Sequence, residues 1–346
     1  METPRAMILA AGHGTRLGPL GQDRPKPMLP VGARPLVEHA FAFLRRAGIT
    51  GVVLNSFTHA DALEAHVGDG ARFGVQASWS REIDRILGTG GGVRHARRFL
   101  GDGTCVVMNG KIVTTADLGA ALAFHRARSA GVTLVLREDP EAGRWGGFTL
   151  EPDGRVATML GARDDGAPAV LPATHMFTGI SILEPAFLDT LPEGPHCLVR
   201  EGFMPWFRGG GGPGLRDGGA LYGYALPGDA YWWDHSTPSR YLWGNLNLFD
   251  PALRDFFAHE LPWHPVRPGV IAAPGAVLPD SVVTDGAVVL GPGASVAPGV
   301  RLENVVVWEG CRASTDLTSA VVTPAGVVPV DLADPGARTG PALSRS

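Results

Sequence analysis

Positions 270, 276, 282, 288, 294, 300 and 306 carry Val, Ala, Val, Val, Ala, Val and Val. Seven consecutive small apolar residues at a strict spacing of six, with Gly or Pro between many of them, leave few folds open. The period reads as a hexapeptide-repeat parallel β-helix in which each repeat forms one flat face of the coil; a Val-rich linker is the plainer alternative. Pro251–Arg267 would join the coil to the rest of the chain, and the last residues read as a loose tail. The expected layout is a main domain over 1–250, a linker over 251–267, the coil over 268–325 and a tail over 326–346.

Ahead of the coil, apolar strand patterns alternate with helical ones. Ala6–Ala11 reads as a strand that ends in the loop GHGTRLG. Pro35–Arg46 reads as a helix, with Leu36, Ala40, Phe43 and Leu44 on one face. The strand Gly51–Asn55 follows, then a helix N-capped by Asp61 with Glu64 three residues on. The glycine loop GTGGG (88–92) opens another helix, and the strand Thr104–Met108 runs into Asn109-Gly110-Lys111. A helix over Ala116–Arg128 and a strand over Val132–Arg137 complete an alternation that predicts a mostly parallel sheet covered by helices. Ligands bind such sheets at the carboxyl ends of the strands, where both glycine loops fall. Beyond Trp145 the pattern is mixed, with Pro152-Asp153-Gly154 as a hairpin turn, a surface loop at GGGGPG (209–214) and a closing helix at SRYLWGNLNLF.

Length and composition set outer limits. At 346 residues the chain suits two domains, and 45% hydrophobic residues with 18% charged supply a sizeable core. A formal charge of −4 argues against a dedicated nucleic-acid binder. No apolar run approaches the ~20 residues needed to cross a bilayer. The opening METPRAMILAAG lacks signal-peptide architecture. Cys105, Cys197 and Cys311 are too few and too scattered for a disulfide framework. Together these predict a cytoplasmic protein.

The chemistry begins in LAAGHGTRLGPLGQDRPKPMLP (9–30). Gly12 and Gly14 follow a strand, then come Thr15, Arg16 and, ten residues on, Lys26. Glycines let backbone N–H groups approach an anion, and Arg16 adds a forked, permanently charged phosphate ligand. A Walker A loop is absent because Gly-Lys-Ser/Thr does not follow at the required spacing. A dinucleotide fingerprint fails because Leu17 stands where it needs a glycine, and Asn55-Ser56 where it needs an acid.

This stretch resembles the signature of the sugar-1-phosphate nucleotidyltransferases, G-x-G-T-R-L followed by P-K. LPVGARPLVEHAFAFLRRAGI, LGTGGG, VVMNG, FTGISILEP and WWDHSTPSRYL fall in the order of that family, so the likeness spans most of the chain. The first half is most similar to N-acetylmuramate-1-phosphate uridylyltransferases, and the layout with a β-helix tail to mannose-1-phosphate guanylyltransferases. The resemblance implies a Rossmann-like α/β domain with a mixed, mostly parallel sheet, followed by a short left-handed parallel β-helix. It implies an NTP and a sugar 1-phosphate as substrates, an NDP-sugar and pyrophosphate as products, and Mg2+ accompanying the NTP. It places the base on the backbone of Leu9, Ala10, Ala11 and Gly12 and on Gly88 and Thr89, with Asn109 also nucleotide-binding. The triphosphate goes to Gly14, Thr15 and Arg16, the α-phosphate to Lys26, and the sugar to Gly147, Thr178 and Gly179. Thr178 and Gly179 have turn formation as their alternative role.

Two departures stand out. The family strand usually ends Asn-Gly-Asp, and that aspartate holds magnesium with a second one, here Asp234. Lys111 replaces it, and an ammonium has no lone pair for a metal. Where many members carry Glu-Lys-Pro, this chain has GARDDG. His235, beside Asp234, is open to metal ligation, packing or surface exposure.

Lys111 has three readings: a cation at the metal position paired with Asp234, the mark of a nucleotide-sugar-binding regulatory homologue without turnover, or a neutral change with the metal held elsewhere. Of the 30 basic residues only Lys26 and Lys111 are lysines, and both fall in the implied site. That distribution favours a required compact charge at 111. The coil holds no histidine, which argues against acyl transfer there, and its exposed apolar ends predict self-association into a homo-oligomer.

Overall fold

The computed structural model describes residues 3–22, 24–209, 220–257 and 264–333. Most of the GGGGPG loop, residues 258–263 of the expected linker and residues 334–346 of the expected tail lie outside them. The chain forms two compact units: Met1–Gly12, Ala40–Gly110 and Thr114–Trp232 make the first, and His13–His39, Lys111–Val113 and Trp233–Ser346 the second.

In the first unit the described residues form a nine-stranded sheet. Its strands are β1 (Arg5–Leu9), β2 (Gly51–Ser56), β3 (Gln76–Arg81), β4 (Cys105–Asn109), β5 (Val132–Glu138), β6 (Phe148–Leu150), β7 (Val156–Met159), β8 (His175–Leu183) and β9 (Leu221–Ala225). The main path runs β7-β6-β8-β4-β1-β2-β3, while β5 pairs with both β8 and β9. β4, β1, β2 and β3 are mutually parallel, whereas β8 runs antiparallel to β4 and β5, so the sheet is mixed. Met7, Val53, Val107, Leu134 and Phe187 lie in its core, each almost wholly removed from water. Between β6 and β7 the expected hairpin turn forms, with Gly154 taking a positive φ of 89°.

Two local expectations need correction. The helix Ala60–Val67 is capped by His59, in the left-handed region, and not by Asp61. Asp61 sits in its first turn and pairs with Arg81 at 2.6 Å, an interaction that ties the helix to the end of β3. The GTGGG stretch is not a loop, because Gly88–His95 is helical from its first glycine. Glycine lowers helix propensity, by about 1 kcal/mol per residue relative to alanine, so packing must select it here. A Cβ on Gly90 would overlap the His196 imidazole, and one on Gly91 would overlap the Gly194 carbonyl. The helix therefore lies against the 194–198 backbone at a distance no larger residue permits.

The second unit opens with two tight turns, Thr15–Gly21 and Lys26–Met28, and a short ribbon of Pro30–Val31 with Arg34–Pro35. Ile112–Thr114 and Trp232–Asp234 make another two-stranded ribbon. The helix Pro238–Asn247 follows, its first turn capped by the Thr237 side chain. Then come the stacked strands β10 (Val270–Ala272), β11 (Val283–Leu290), β12 (Arg301–Val307) and β13 (Leu317–Thr323), each parallel to the next. His264–Arg267 and Gly326–Pro329 cover the two edges in antiparallel fashion. Val270, Val282, Val288, Ala294, Val300 and Val306 are all buried, and Ala276 is half-buried. Val270 pairs with Val288, three hexads on, but past an irregularity between Asp285 and Val288 the register slips, so that Val288 pairs with Val305 and Val306 with Val321.

Among the described residues no helix is long and apolar enough to cross a membrane.

Gly91→Ala forces its Cβ into a carbonyl that cannot retreat without moving the 194–198 backbone. We expect a loss of about 2 kcal/mol, the usual scale of overpacking, read from the urea denaturation midpoint at constant m-value. An unchanged midpoint would show that the helix does not depend on this close approach.

Candidate active site

In the first unit four of the implied residues, Leu9, Asn109, Thr178 and Gly179, come together at one end of the central strands. Leu9 and Asn109 are register partners at the carboxyl ends of parallel β1 and β4. Antiparallel β8 pairs Ile180 with Met108, which brings Thr178 and Gly179 to the same end. A buried polar chain ties the two glycine segments together. The Ala10 N–H donates to Asn55 Oδ1 at 2.7 Å, Asn55 Nδ2 donates to Glu82 Oε1 at 2.8 Å, and the Leu87 N–H donates to Glu82 Oε2 at 2.6 Å. Leu87 caps the Gly88–His95 helix, so the end of β1 and the start of that helix are held in one arrangement. Asn55 and Glu82 were not among the expected site residues. Their signal was faint, a polar pair closing apolar strands, and only pairing of those strands brings them together.

Several implied ligands have their side chains committed to the scaffold. The Thr178 hydroxyl donates to the Val135 carbonyl at 2.7 Å, and the Thr178 carbonyl accepts from Trp232 Nε1 at 2.9 Å. With Gly179 at a φ of 81°, this pair forms an irregularity in the β8–β5 register. Thr89 Oγ1 accepts from the Leu198 N–H. Gly147 is buried beneath Ala173 and the carbonyls of Ala142 and His175, with no room for a Cβ.

The second unit gathers charge. Gly14 takes a left-handed φ of 70° to start the turn over Thr15–Gly21. Leu17 and Leu20 anchor that turn in the interior and leave Thr15 and Arg16 exposed. The stem of Lys26 runs alongside Gly14. Burial, the neighbouring Lys111 and Arg16 push the Lys26 ammonium down to about 8, against the opposing pull of Asp234. Lys111 Nζ lies 2.5 Å from Asp234 Oδ2, and the Arg240 guanidinium is 3.9 Å from Oδ1. Burial works against a charge on Asp234, but Lys111, a Ser236 hydrogen bond and Arg240 outweigh it and hold the carboxyl well below the usual range.

Neighbours of Asp234 fix this pair from the backbone side. The His235 N–H and its ring Nδ1–H both donate to the Lys111 carbonyl, at 3.0 and 3.1 Å. His235 is fully buried, its imidazole packed against Gly244, and burial pushes its pKa down to about 3. Buried and bound to the Lys111 carbonyl, it packs beneath that residue and does not face solvent. Arg240 Nε donates to the Asp234 carbonyl at 2.8 Å, and Trp233 Nε1 donates to the Arg240 carbonyl at 2.7 Å. Nothing in the order of these residues along the sequence announced that role for Arg240.

The residues present do not fit a protein-held divalent cation. The Asp234 carboxylate is already paired with an ammonium, which cannot ligate a metal. Among the described residues no three His, Cys, Asp or Glu side chains gather as a metal site.

The chain and its fold have known relatives. The nucleotidyl transferase family matches residues 5–160. Mannose-1-phosphate guanylyltransferase of Mycobacterium tuberculosis is 33% identical over 314 residues, spanning 89% of this chain and 80% of that protein. A UTP–glucose-1-phosphate uridylyltransferase of Synechocystis is 29% identical and spans 89% of this chain and 84% of its own. N-acetylmuramate alpha-1-phosphate uridylyltransferase of Neisseria meningitidis is 34% identical over 194 residues, 55% of this chain and 79% of that one. Among solved structures, HddC of Yersinia pseudotuberculosis superposes with a TM-score of 0.54 at 20% identity, covering 70% of this chain and 98% of that chain. The chain belongs to the nucleotidyl transferase family. Within it, its relatives are the sugar-1-phosphate nucleotidyltransferases.

Lys111→Ala leaves the Asp234 carboxylate largely buried without its nearest cation. Unpairing a fully buried ion pair costs ~3–5 kcal/mol; with 20% and 13% of these two side chains exposed, we expect a loss of about 2 kcal/mol at pH 7. Burial would then raise the Asp234 pKa, so protonation relieves the penalty and the deficit narrows as pH falls from 7 towards 5. Urea midpoints of both proteins across that range test this. Equal midpoints at pH 7 would mean that the pair carries no stability.

Proposed function

We propose that this chain catalyses attack of a sugar 1-phosphate oxygen on the α-phosphorus of a nucleoside triphosphate, releasing pyrophosphate and leaving an NDP-sugar. The observation that carries the reading is the Lys111–Asp234 pair with Lys26 beside it, and with Arg16, on the glycine-opened turn, close enough to act on the Lys26 ammonium. In-line transfer of this kind asks the protein for positioning and charge neutralisation rather than covalent chemistry. Arg16, with the backbone of Gly14 and Thr15, binds the triphosphate. Lys26 meets the α-phosphate and stabilises the charge that develops there. Its depressed pKa fits a site meant for a polyanion, whose arrival restores the charged form.

Lys111 stands in for a protein-bound divalent ion at Asp234, one unit of charge in place of two. Magnesium is expected on the β- and γ-phosphates of the NTP, away from Asp234. The base rests on the backbone of Leu9, Ala10, Ala11 and Gly12 and on Gly88, Thr89 and Asn109. The sugar lies by Gly147, Thr178 and Gly179, read through backbone groups because the Thr178 hydroxyl is already bound. The stacked strands after Val270 are read as a short left-handed hexapeptide coil, which serves self-association.

The mannose-1-phosphate guanylyltransferase is 33% identical over 89% of the chain, the glucose-1-phosphate uridylyltransferase 29% over the same share, and the N-acetylmuramate uridylyltransferase spans 55%. GTP with mannose 1-phosphate is therefore the first pair to try, followed by UTP with glucose or N-acetylmuramate 1-phosphate. Pyrophosphate release by the full chain should appear with one such pair, and Lys26→Met should lower kcat about 100- to 1,000-fold, the scale of one preorganised donor. Nucleotide binding without pyrophosphate from any pair would instead support the regulatory reading.

A further inference from the structure

The Lys26 segment is gripped by the C-terminal strands. Trp308, one residue beyond β12, is buried, and its indole Nε1–H donates to Tyr241 Oη at 2.9 Å. The Tyr241 hydroxyl in turn donates to the Pro30 carbonyl at 2.5 Å. With its lone pair taken on one side and its proton given on the other, that hydroxyl has a single orientation. The Tyr241 and Trp308 rings meet edge to face with centroids 6.3 Å apart. On the other side of Lys26, the Arg24 guanidinium lies 4.1 Å above the Trp308 ring centroid and pairs with Glu309 at 2.8 Å.

Arg24 and Pro30 thus bracket Lys26, and both are held by Trp308, one directly and one through Tyr241. Between them Pro25 and Pro27 restrict φ, and the Leu29 N–H closes a turn on the Lys26 carbonyl at 3.0 Å. Asn245 adds a third hold, accepting from the Gly32 N–H at 3.0 Å. The helix that carries Tyr241 and Asn245 also carries Arg240, which grips the Asp234 carbonyl. One helix, backed by Trp308, therefore holds the carriers of both Lys26 and Asp234.

We infer that Trp308 and Glu309 are positioning residues for the nucleotidyl transfer site: the C-terminal strands clamp the Arg24–Pro30 segment so that Lys26 is held against the Lys111–Asp234 pair. The inference rests on the reading of Lys26 as a phosphate ligand, and it gives the C-terminal strands a part in the site itself, apart from assembly.

Lys26 and Lys111 are the only lysines of the chain. Reductive 13C-methylation of the full chain therefore gives NMR resonances from these two side chains and the terminal amine. Trp308→Phe keeps a ring under Arg24 and removes the N–H donor. The Lys26 resonance should shift more than that of Lys111, and its titration midpoint should climb from about 8 towards the ~10.4 of an exposed lysine. GTP or UTP affinity by calorimetry should fall about tenfold. Glu309→Gln, a change at a side chain 46% exposed, should move Lys26 in the same direction by less, and it decides the matter if Trp308→Phe does not fold. Leu302→Ala, a cavity in β12 one hexad earlier, should lower thermal stability and leave Lys26 alone. An unmoved Lys26 resonance in Trp308→Phe and Glu309→Gln overturns the clamp, as does an equal shift in Leu302→Ala. A Lys26 shift with nucleotide affinity intact upholds the clamp and overturns the phosphate reading of Lys26.

Discussion

A carboxylate with only 13% of its side chain exposed must be paired or it will not stay charged, and Asp234 is paired with Lys111 at 2.5 Å. Much of the second unit can be understood as the framework that makes this pair possible. His235 gives up both of its available donors to the Lys111 carbonyl. Burial keeps that imidazole neutral, so it adds no competing charge. Arg240 supplies a second cation to the carboxylate and a donor to the Asp234 carbonyl. The pair is fixed through its backbone as much as through its side chains.

That degree of fixing has a physical reason. A divalent ion finds its own place among oxygen ligands, because coordination geometry sets its position. An ammonium on a flexible four-carbon stem has no such geometry and must be positioned by what surrounds the stem and the backbone below it. Lys26 meets the same requirement by another route, with prolines on either side and a buried Trp308–Tyr241 pair behind. Both lysines of an arginine-rich chain stand where a compact cation is held from several sides. Phosphoryl-type transfer depends on charge set in place beforehand, and this arrangement supplies it.

The parts of the structure legible in the sequence were those with local signals. Glycines at 12 and 14 after an apolar run marked the first turn, and the six-residue period marked the stacked strands, although their register already slips by one residue within that period, where Val288 meets Val305. Lys111 and Asp234 could be paired in advance because the family resemblance aligned both. What stayed hidden depends on contacts between distant segments. GTGGG forms a helix because of how closely 194–198 approaches it, and nothing within those five residues records that. The Asn55–Glu82 chain appears only once β2 and β3 are paired. Trp308 lies nearly seventy positions from Tyr241 and more than 270 from Pro30, and a tryptophan next to a hexapeptide strand looks like any other core residue. Segment 13–39 belongs to the same compact unit as the C-terminal strands, an association that no linear division of the chain expresses.

If an ammonium occupies the place of a protein-bound metal at Asp234, restoring a carboxylate at position 111 should bring the metal back. Thermal unfolding of the wild type and Lys111→Asp, titrated with manganese or magnesium in the absence of nucleotide, reads metal binding apart from turnover. The account predicts a wild type whose melting temperature ignores the metal. Lys111→Asp should be less stable without metal and rise saturably with it, by mass action at a new two-carboxylate site, and its pyrophosphate release should acquire the same saturation. Melting curves of the two proteins that respond alike, or that both ignore the metal while turnover is untouched, would contradict the account and remove Lys111 from the reacting phosphates.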